Sequence, residues 1–344
     1  MMGAISKAFE VPQSLNAKVP AEFRGRGRDD VRLMVMDGEG VYHDRFSSLP
    51  DFLKKGDLLI FNNSRTIPAV LKAKACNREV EIRLSRQLDG RTWEALIWGG
   101  LYSAGYELTL VNGVKAVITG NAADKPLITI SFSIEGAELL DYIYRYGEPI
   151  RYEYIESDWP LEAYQTAYAS VPGSVEMASA GRAFSWKMFD KLKEKGVETA
   201  FLTLHTGLSY YGKDRWPDPN KHPEAFHIPE ETAELINSVR EARGRVIAVG
   251  TTVVRALETA ADDAGRLTAT EGITNLYIKK DHQLKAVDGL VTGLHEPEAT
   301  HLEMLSAFTS PHRLFAAYRE ALKKGYLWHE FGDVNLILSE RAHS

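Results

Sequence analysis

The feature that most constrains the fold of this chain is a change in the rhythm of its apolar residues, at about residue 70 and again at about residue 151. Between these points, short runs with alternating apolar side chains follow one another, separated by turn signals such as Asp89-Gly90 and Asn112-Gly113. Alternation with a period of two is typical of half-buried strands, and these dipeptides favour tight hairpins. The region therefore predicts a small barrel or sandwich, with strands at residues 80–85, 93–98, 106–111, 114–119 and 127–132.

Outside this region strands alternate with helices, which predicts an α/β fold with a mainly parallel or mixed sheet. Gly196 is placed to cap a helix at 186–195, and Pro229 to begin one at 229–242. With 344 residues the chain is long enough for two domains. The other predicted helices are 49–55, 138–146, 251–264, 298–308 and 313–323, and the other strands are 31–36, 57–62, 197–205, 246–250, 276–278, 286–292 and 334–338.

Composition excludes several classes of protein. No apolar run approaches the roughly 20 residues needed to cross a bilayer, and the N-terminus lacks an apolar stretch of signal-peptide type, so we expect a soluble cytoplasmic protein without a membrane partner. Cys76 is the only cysteine, which rules out an internal disulfide and a thiolate metal site. The formal charge of −6 means that any nucleic acid must be held by local basic patches.

The most informative motif is Gly250-Thr251-Thr252 followed by Arg255, where a buried strand ends and a helix begins. A helix N-terminus offers free N–H groups and partial positive charge, and the hydroxyls and guanidinium add donors. This arrangement suits a carboxylate or a phosphate. Simple capping of the helix by Thr251 is the alternative, and it leaves Thr252 and Arg255 unexplained.

Several histidines lie near predicted strand ends, where ligands bind in open α/β sheets. His205 ends one strand, His295 follows another, and His222 precedes Glu224, whose carboxylate is able to orient an imidazole. Each is a candidate acid or base, and for each the alternative is a hydrogen-bonded structural histidine. The spacing around His222 does not match a metal motif. We interpret His301 as a surface histidine.

Taken in order, short segments of this sequence resemble the S-adenosylmethionine:tRNA ribosyltransferase-isomerase family of queuosine biosynthesis. The resemblance extends from about Val11 to Leu338. Its segments are 56–59, 62–69, 164–168, 172–174, Ala180-Gly181, Leu204-His205, His222 with Glu224, 249–255 with Glu258, 287–292, His295 with Pro297, 305–308 and Gly332-Asp333.

The resemblance implies an α/β domain, here residues 1–69 and 151–344, with a β-barrel domain, here 70–150, inserted in it. It implies transfer of the ribosyl part of S-adenosylmethionine to a 7-aminomethyl-7-deazaguanine base in tRNA, giving epoxyqueuosine and releasing adenine and methionine. S-adenosylmethionine is then a co-substrate, with no metal or prosthetic group, and we expect a monomer. We expect His205, His222, Glu224 and His295 to be catalytic. The positions expected to bind substrate are Asn63, Arg65, Tyr164, Gln165, Ala180, Gly181, Thr251, Thr252, Arg255, Asp288, Thr292 and Asp333.

The chain also departs from the family pattern. Where the family has Leu-His after Ala-Gly, this chain has Arg182 and Ala183, and an alanine cannot transfer a proton. Val70 and Ala163 replace family arginines, and Glu296 brings a carboxylate close to His295. Fewer arginines weaken attraction to a polyanion. Two alternatives therefore stay open: a relative that uses S-adenosylmethionine with a smaller, nucleoside-like acceptor, and a non-catalytic member that binds a nucleoside or RNA.

Overall fold

The computed structural model describes residues 9–76, 78–100, 102–212, 215–218, 220–296 and 301–339. Its strands and helices alternate in the order that the sequence rhythm predicts. The strands are β1 (Arg32–Met36), β2 (Val41–Arg45), β3 (Leu58–Asn62), β4 (Ser64–Thr66), β5 (Val70–Ala75), β6 (Arg78–Gln87), β7 (Thr92–Trp98), β8 (Glu107–Leu110), β9 (Lys115–Asn121), β10 (Ile128–Phe132), β11 (Val171–Ser174), β12 (Glu198–Leu204), β13 (Glu224–Ile228), β14 (Val246–Val249), β15 (Thr270–Thr274), β16 (Gly289–Gly293) and β17 (Val334–Leu338).

The helices cover both faces of the large sheet. The α-helices are α1 (Gly136–Tyr146), α2 (Trp186–Lys195), α3 (Glu230–Glu241), α4 (Thr251–Ala260), α5 (His301–Leu305) and α6 (Pro311–Lys323). Short 3-10 helices occupy Gln13–Leu15, Ala21–Arg24, Phe46–Phe52, Val111–Gly113, Leu161–Tyr164 and Ser179–Gly181. Over the described residues, no helix combines the length and the apolar character needed to cross a bilayer.

The large sheet is mixed, with the strand order β15-β13-β12-β3-β14-β16-β17-β1-β2. Its centre is parallel, because β3 pairs in parallel with β12 and β14, and β14 pairs in parallel with β16. The flanking strands β13 and β17 run the other way. The carboxyl ends of β3, β12, β14 and β16 therefore share one edge with the amino ends of β13, β17 and β1, and we call this the site edge.

Alternation along the strands builds a core on each side of the sheet. In β1, Met34 and Met36 pack into the cluster beneath α3, α4 and α6, while Leu33 and Val35 pack into the cluster beneath α2. Each of these side chains is at most 1% exposed. Burial on both faces explains why the central strands are almost continuously apolar in sequence.

A separate closed barrel is formed by the strands β10-β7-β6-β5-β8-β9. Inward-facing side chains such as Ile82, Ile118 and Ile130 are at most 1% exposed and fill it. The same apolar cluster includes Val175, Leu208 and Tyr211, which lie outside the barrel strands. The barrel core is therefore continuous with two segments that lead to the site edge. A mixed sheet together with a barrel confirms the predicted fold class.

The local predictions differ in accuracy. α2 has the predicted bounds and ends at Gly196, whose φ of 77° favours glycine. α4 ends four residues early, because Asp262 accepts hydrogen bonds from the backbone of Ala264 and Arg266 and forms a turn instead. Residues 276–278 are not a strand, and the sheet edge is formed by β15. Of the helix predicted at 298–308, residues 298–300 lie outside the described part, and α5 covers His301–Leu305.

Candidate active site

The side chain of Asn62 fixes the geometry of the site edge. It is fully buried, and its Oδ1 accepts hydrogen bonds from the backbone N–H groups of Ser64 and Leu204, both at 3.0 Å. Its Nδ2 donates to the carbonyl oxygen of Leu204 at 2.8 Å and lies 3.4 Å from Oγ1 of Thr252. One amide thus joins the ends of β3 and β12 to the beginning of α4.

His205 follows β12 and lies within a chain of hydroxyl groups. Its Nδ1 is 2.7 Å from Oγ of Ser64, which is 2.6 Å from Oγ of Ser174. Gly173 allows this close packing, since a Cβ there would lie 2.6 Å from the imidazole ring. Burial lowers the pKa of His205. The imidazole is therefore neutral at pH 7 and able to accept a proton.

The beginning of α4 differs in detail from the expected anion site. Gly250, with φ of 103°, is the N-cap, and no side chain caps the helix. The guanidinium of Arg255 forms an ion pair with the carboxylate of Glu224 at the start of β13. The Glu224 side chain is 7% exposed and that of Arg255 is 20% exposed. The positive charge of Arg255 is therefore already paired with Glu224 before any ligand binds.

His222 is oriented by the barrel. Its Nδ1 is 3.3 Å from the hydroxyl of Tyr211, which donates to Oδ2 of Asp124 at 2.7 Å. Glu224 raises the pKa of His222, but burial lowers it more. A Cβ at Gly207 would lie 2.4 Å from Nε2 of His222, so the glycine is required for this packing. The expected orienting role of Glu224 thus falls mainly to Asp124 through Tyr211.

His295 is held between β16 and α5. Its Nε2 lies 2.8 Å from Oγ1 of Thr292, and its ring stacks on His301 with centroids 4.5 Å apart and planes 10° from parallel. Burial, together with His301 and His329, lowers the pKa of His295 well below its usual value. The pKa of His301 is lowered to about 4, mainly by burial. The prediction that His301 is a surface histidine is wrong.

Several other predicted residues support the backbone at the site edge. Gln165 clamps both backbone groups of Thr66, accepting from its N–H at 3.1 Å and donating to its carbonyl at 2.7 Å. Oδ1 of Asn63 accepts from the hydroxyl of Thr203 at 2.6 Å. Asp333 accepts from the N–H groups of Arg32 and Leu327, both at 2.7 Å.

The remaining predicted residues occupy different surroundings. Tyr164 is buried against Phe331, with ring centroids 5.4 Å apart, and Arg65 is exposed on β4. Ala180 lies next to Gly250, where a Cβ on the glycine would be 3.6 Å from the Cβ of Ala180. At Gly181, a Cβ would meet the hydroxyl of Tyr168 at 1.8 Å.

Asp288 is not brought to the site edge. Its Oδ2 accepts a hydrogen bond from the N–H of Val246, which is the first residue of β14, at 2.8 Å. That position is the opposite end of the sheet from Asn62 and Gly250. The carboxylate there fastens β14 to the segment before β16.

Sequence reasoning missed two carboxyl groups that each accept a hydrogen bond from a tyrosine. Tyr152 donates to Glu176, and Tyr154 donates to Glu330. The rings of Tyr152 and Tyr154 stack with centroids 6.0 Å apart, and His329 stacks on Tyr154 at 4.3 Å. Burial raises the pKa of Glu176, and it raises the pKa of Glu330 to about 7. The available signals were two tyrosines two residues apart and the dipeptide His329-Glu330.

Arg182, which takes the place of a family leucine, is buried and bound internally. Its Nε donates to the carbonyl of Ala163 at 3.0 Å, its Nη2 to Glu22 at 2.7 Å, and its guanidinium lies 4.9 Å from the centroid of the Phe331 ring. Arg182 therefore adds little positive charge to the cleft. Across the described residues, no three His, Cys, Asp or Glu side chains are grouped to hold a metal ion.

A narrow cavity, continuous with solvent, opens beside these residues at the site edge. The empty space around its lining residues is about 330 Å³ when the open solvent at its mouth is included. We call it the Ala183 cavity, because Ala183 lines it at the position where the family resemblance leads us to expect a histidine. Other residues that line it include Arg28, Ala180, Arg182, Gly293, His329 and Glu330.

Known proteins resemble this chain over almost its whole length. The sequence model of a family described as queuosine biosynthesis protein matches residues 6–337. S-adenosylmethionine:tRNA ribosyltransferase-isomerases from two strains of Thermus thermophilus are each 39% identical over 327 residues, covering 90% of this chain and 93% of the relative. The crystal structure of S-adenosylmethionine tRNA ribosyltransferase from Thermotoga maritima matches with a TM-score of 0.54 and 31% identity, covering 96% of this chain and 99% of that one.

Proposed function

The chain belongs to the queuosine biosynthesis protein family, and from this membership we infer that it is an S-adenosylmethionine:tRNA ribosyltransferase-isomerase. It transfers the ribosyl moiety of S-adenosylmethionine to the 7-aminomethyl-7-deazaguanine base in tRNA and forms epoxyqueuosine. Adenine and methionine are released, and S-adenosylmethionine is the co-substrate. The predicted family, enzyme class and reaction therefore stand.

The observation that carries the proposed mechanism is that the site edge presents neutral imidazoles close to hydroxyl groups. The sulfonium of S-adenosylmethionine acidifies the ribose 5′ C–H bond, so the reaction needs a base that is unprotonated near pH 7. Burial lowers the pKa of both His205 and His295, which keeps them in that form. We assign proton abstraction to one of these two histidines, with Ser64 orienting the ring of His205 and Thr292 that of His295.

We propose that the beginning of α4 binds the carboxylate of the methionine moiety. Thr251 and Thr252 lie in the first turn, where backbone N–H groups and the helix dipole favour an anion. The ion pair with Glu224 fixes the position of the Arg255 guanidinium and leaves it partly exposed. In this proposal Glu224 orients Arg255, and His222 forms the wall of the substrate site on the side of the barrel.

The remaining expected site residues divide into two groups. We propose that Arg65, exposed on β4 next to the site edge, contacts a phosphate of tRNA. We also propose that Ala180, which lines the Ala183 cavity, and the adjacent Gly181 form the floor on which the substrate lies. Asn63, Tyr164, Gln165 and Asp333 act by holding the backbone and packing around the cleft. Asp288 acts at a distance, through β14.

Three further proposals concern organisation. We propose that residues 1–69 and 151–344 form the α/β domain and that residues 70–150 form the inserted barrel domain, which agrees with the strands that belong to each sheet. We also propose that the protein acts as a monomer. Its place of action is then the cytoplasm, where tRNA and S-adenosylmethionine are both present.

One incubation tests the function. The protein is mixed with S-adenosylmethionine, with and without tRNA that carries the 7-aminomethyl-7-deazaguanine base, and adenine and methionine are measured. We expect both products only with this tRNA, and tRNA carrying unmodified guanine is the control. Release without RNA, or only with the free base, would instead favour the smaller acceptor. Binding of S-adenosylmethionine without release would indicate a non-catalytic member.

A further inference from the structure

The Ala183 cavity has an ionisable group on its wall that the proposed mechanism does not use. The histidine expected from the family resemblance at position 183 is an alanine that is 6% exposed. Glu330 lines the same cavity, next to His329. The cavity therefore lacks the expected imidazole at one point of its wall and has a carboxyl group at another.

The surroundings of Glu330 keep its proton available. Its Oε2 accepts a hydrogen bond from the hydroxyl of Tyr154, and the pKa of Glu330 is raised to about 7, mainly by burial. The Glu176 carboxyl raises this pKa further, while Tyr154 and Arg182 lower it. Burial raises the pKa of Tyr164, and the nearby Glu330 raises it further. A carboxyl group that is about half protonated near pH 7 is suited to general acid catalysis.

Glu176 has a raised pKa as well, but its contacts differ. Its Oε1 accepts hydrogen bonds from the Tyr152 hydroxyl and from the backbone N–H of Ser209, the latter at 2.8 Å. It is not among the residues that line the Ala183 cavity. Of the two tyrosine-bound carboxyl groups, Glu330 is the one that lines the Ala183 cavity.

Resting on the proposed function, we propose that Glu330, with Tyr154 as its hydrogen-bond donor, is the general acid that protonates adenine as it leaves S-adenosylmethionine. The base at the site edge removes the 5′ proton, and the released electron pair forms a C4′=C5′ double bond. The C4′–O4′ bond breaks, and O4′ forms a carbonyl group with C1′. The bond between the ribose carbon and adenine breaks with its electron pair on adenine. Adenine takes the proton of the Glu330 carboxyl group, which is left as a carboxylate.

The direct test is the variant Glu330→Gln, which has the same shape but no acidic proton. We expect adenine release with tRNA to slow by about 100- to 10,000-fold, the usual contribution of a general acid. Binding of S-adenosylmethionine, measured by calorimetry, should remain, which shows that the variant is folded. The control Glu153→Gln changes an exposed carboxylate on the residue that precedes Tyr154 and should act like the wild type.

Leaving-group chemistry separates acid catalysis from a structural role. In an analogue of S-adenosylmethionine that carries hypoxanthine in place of adenine, the base leaves more easily as an anion. Glu330→Gln should therefore lose much less activity with this analogue than with S-adenosylmethionine. The variant Tyr154→Phe removes a hydrogen bond that lowers the pKa of Glu330. The alkaline limb of kcat/KM should therefore move to higher pH.

The outcomes are distinguishable. If the wild type releases no adenine with the modified tRNA, the proposed function fails, and this inference fails with it. If the wild type is active and Glu330→Gln is equally active, the inference alone is overturned. An equal loss with the adenine and hypoxanthine substrates, or an unmoved alkaline limb in Tyr154→Phe, would also overturn it.

Discussion

The guanidinium of Arg255, one turn into α4, is ion-paired with the carboxylate of Glu224 at the first position of β13. The pair joins β13 to α4, the helix whose beginning we propose as the anion site. Neither residue suggests the other in sequence, since 31 positions separate them. Their contact means that a change at either position affects both stability and binding.

We predict that Arg255→Ala abolishes turnover of S-adenosylmethionine and also destabilises the protein. Removing the cation leaves the Glu224 carboxylate buried without its partner, and because Arg255 is partly exposed we expect a loss of about 2 kcal/mol. Denaturant unfolding measures this loss. The double variant Arg255→Ala with Glu224→Gln should regain stability but not activity. Wild-type turnover in either variant would remove the anion-site assignment.

We predict that Asn62→Ala lowers the free energy of unfolding by about 3 kcal/mol, because three buried backbone groups of Ser64 and Leu204 lose their partner. Activity should fall with it, since the ends of β3 and β12 separate. Asn237→Ala is a matched control, because Asn237 makes a similar pair of backbone hydrogen bonds to Leu267 away from the site edge. It should cost less stability and leave kcat unchanged, and equal effects on kcat would contradict the proposed role of Asn62.

Acid conditions should weaken the fold through His329, whose pKa is lowered to about 4, mainly by burial. Between pH 6.5 and 4 the unfolded chain binds this proton and the folded chain does not, so stability falls as pH falls. Relative to His329→Gln, the wild type should lose about 3 kcal/mol over this window, because each pKa unit corresponds to about 1.4 kcal/mol. Urea unfolding at several pH values measures the difference.

Glu330, the residue after His329, should change the stability of the protein with pH in the opposite direction. Because its folded pKa is about 7, the stability it contributes is present below its unfolded pKa and is lost as pH rises through 7. Relative to Glu330→Gln, the wild type should therefore become less stable between pH 4.5 and 7. If the free energy of unfolding changed with pH in the same direction relative to His329→Gln and relative to Glu330→Gln, the two groups would not have the environments described.

Arg65→Ala should raise KM for tRNA and reduce its dependence on salt, with little change in kcat. Arg65 is exposed next to the site edge, and a lysine or arginine that contacts a phosphate contributes about one unit to the salt slope. Arg78→Ala is the control, because Arg78 is exposed at the start of β6 in the barrel, away from the site edge. An unchanged salt dependence would place the RNA elsewhere.

Local signals in the sequence predicted much of the fold. Helix α2 follows from its apolar spacing and Gly196, and β17 from an apolar run with the predicted bounds. The strand Thr270–Thr274 was missed, because Glu271 and Gly272 are unfavourable in strands and the segment is held by pairing with β13. Helix α4 was predicted too long, because a turn built on Asp262 competes with the helix.

The site was predictable only in part. His205 and His295 follow strands that the apolar pattern reveals, so their shared edge could be inferred. The connections from Asp124 through Tyr211 to His222, and from Tyr154 to Glu330, could not be inferred, because they join residues far apart in the chain. No periodicity encodes contacts of this kind. They arise from the packing of the barrel and the loops against the sheet.

The shared apolar core has a consequence for protein engineering. Leu208 and Tyr211 are packed inside the barrel cluster, and the backbone N–H of Leu208 donates to the hydroxyl of Ser85 on β6. Excising the barrel, or exchanging it for that of a relative, would strip the support from the loop that carries His222. A chimaera should therefore keep its catalytic wall only when the barrel and residues 205–222 are transplanted together.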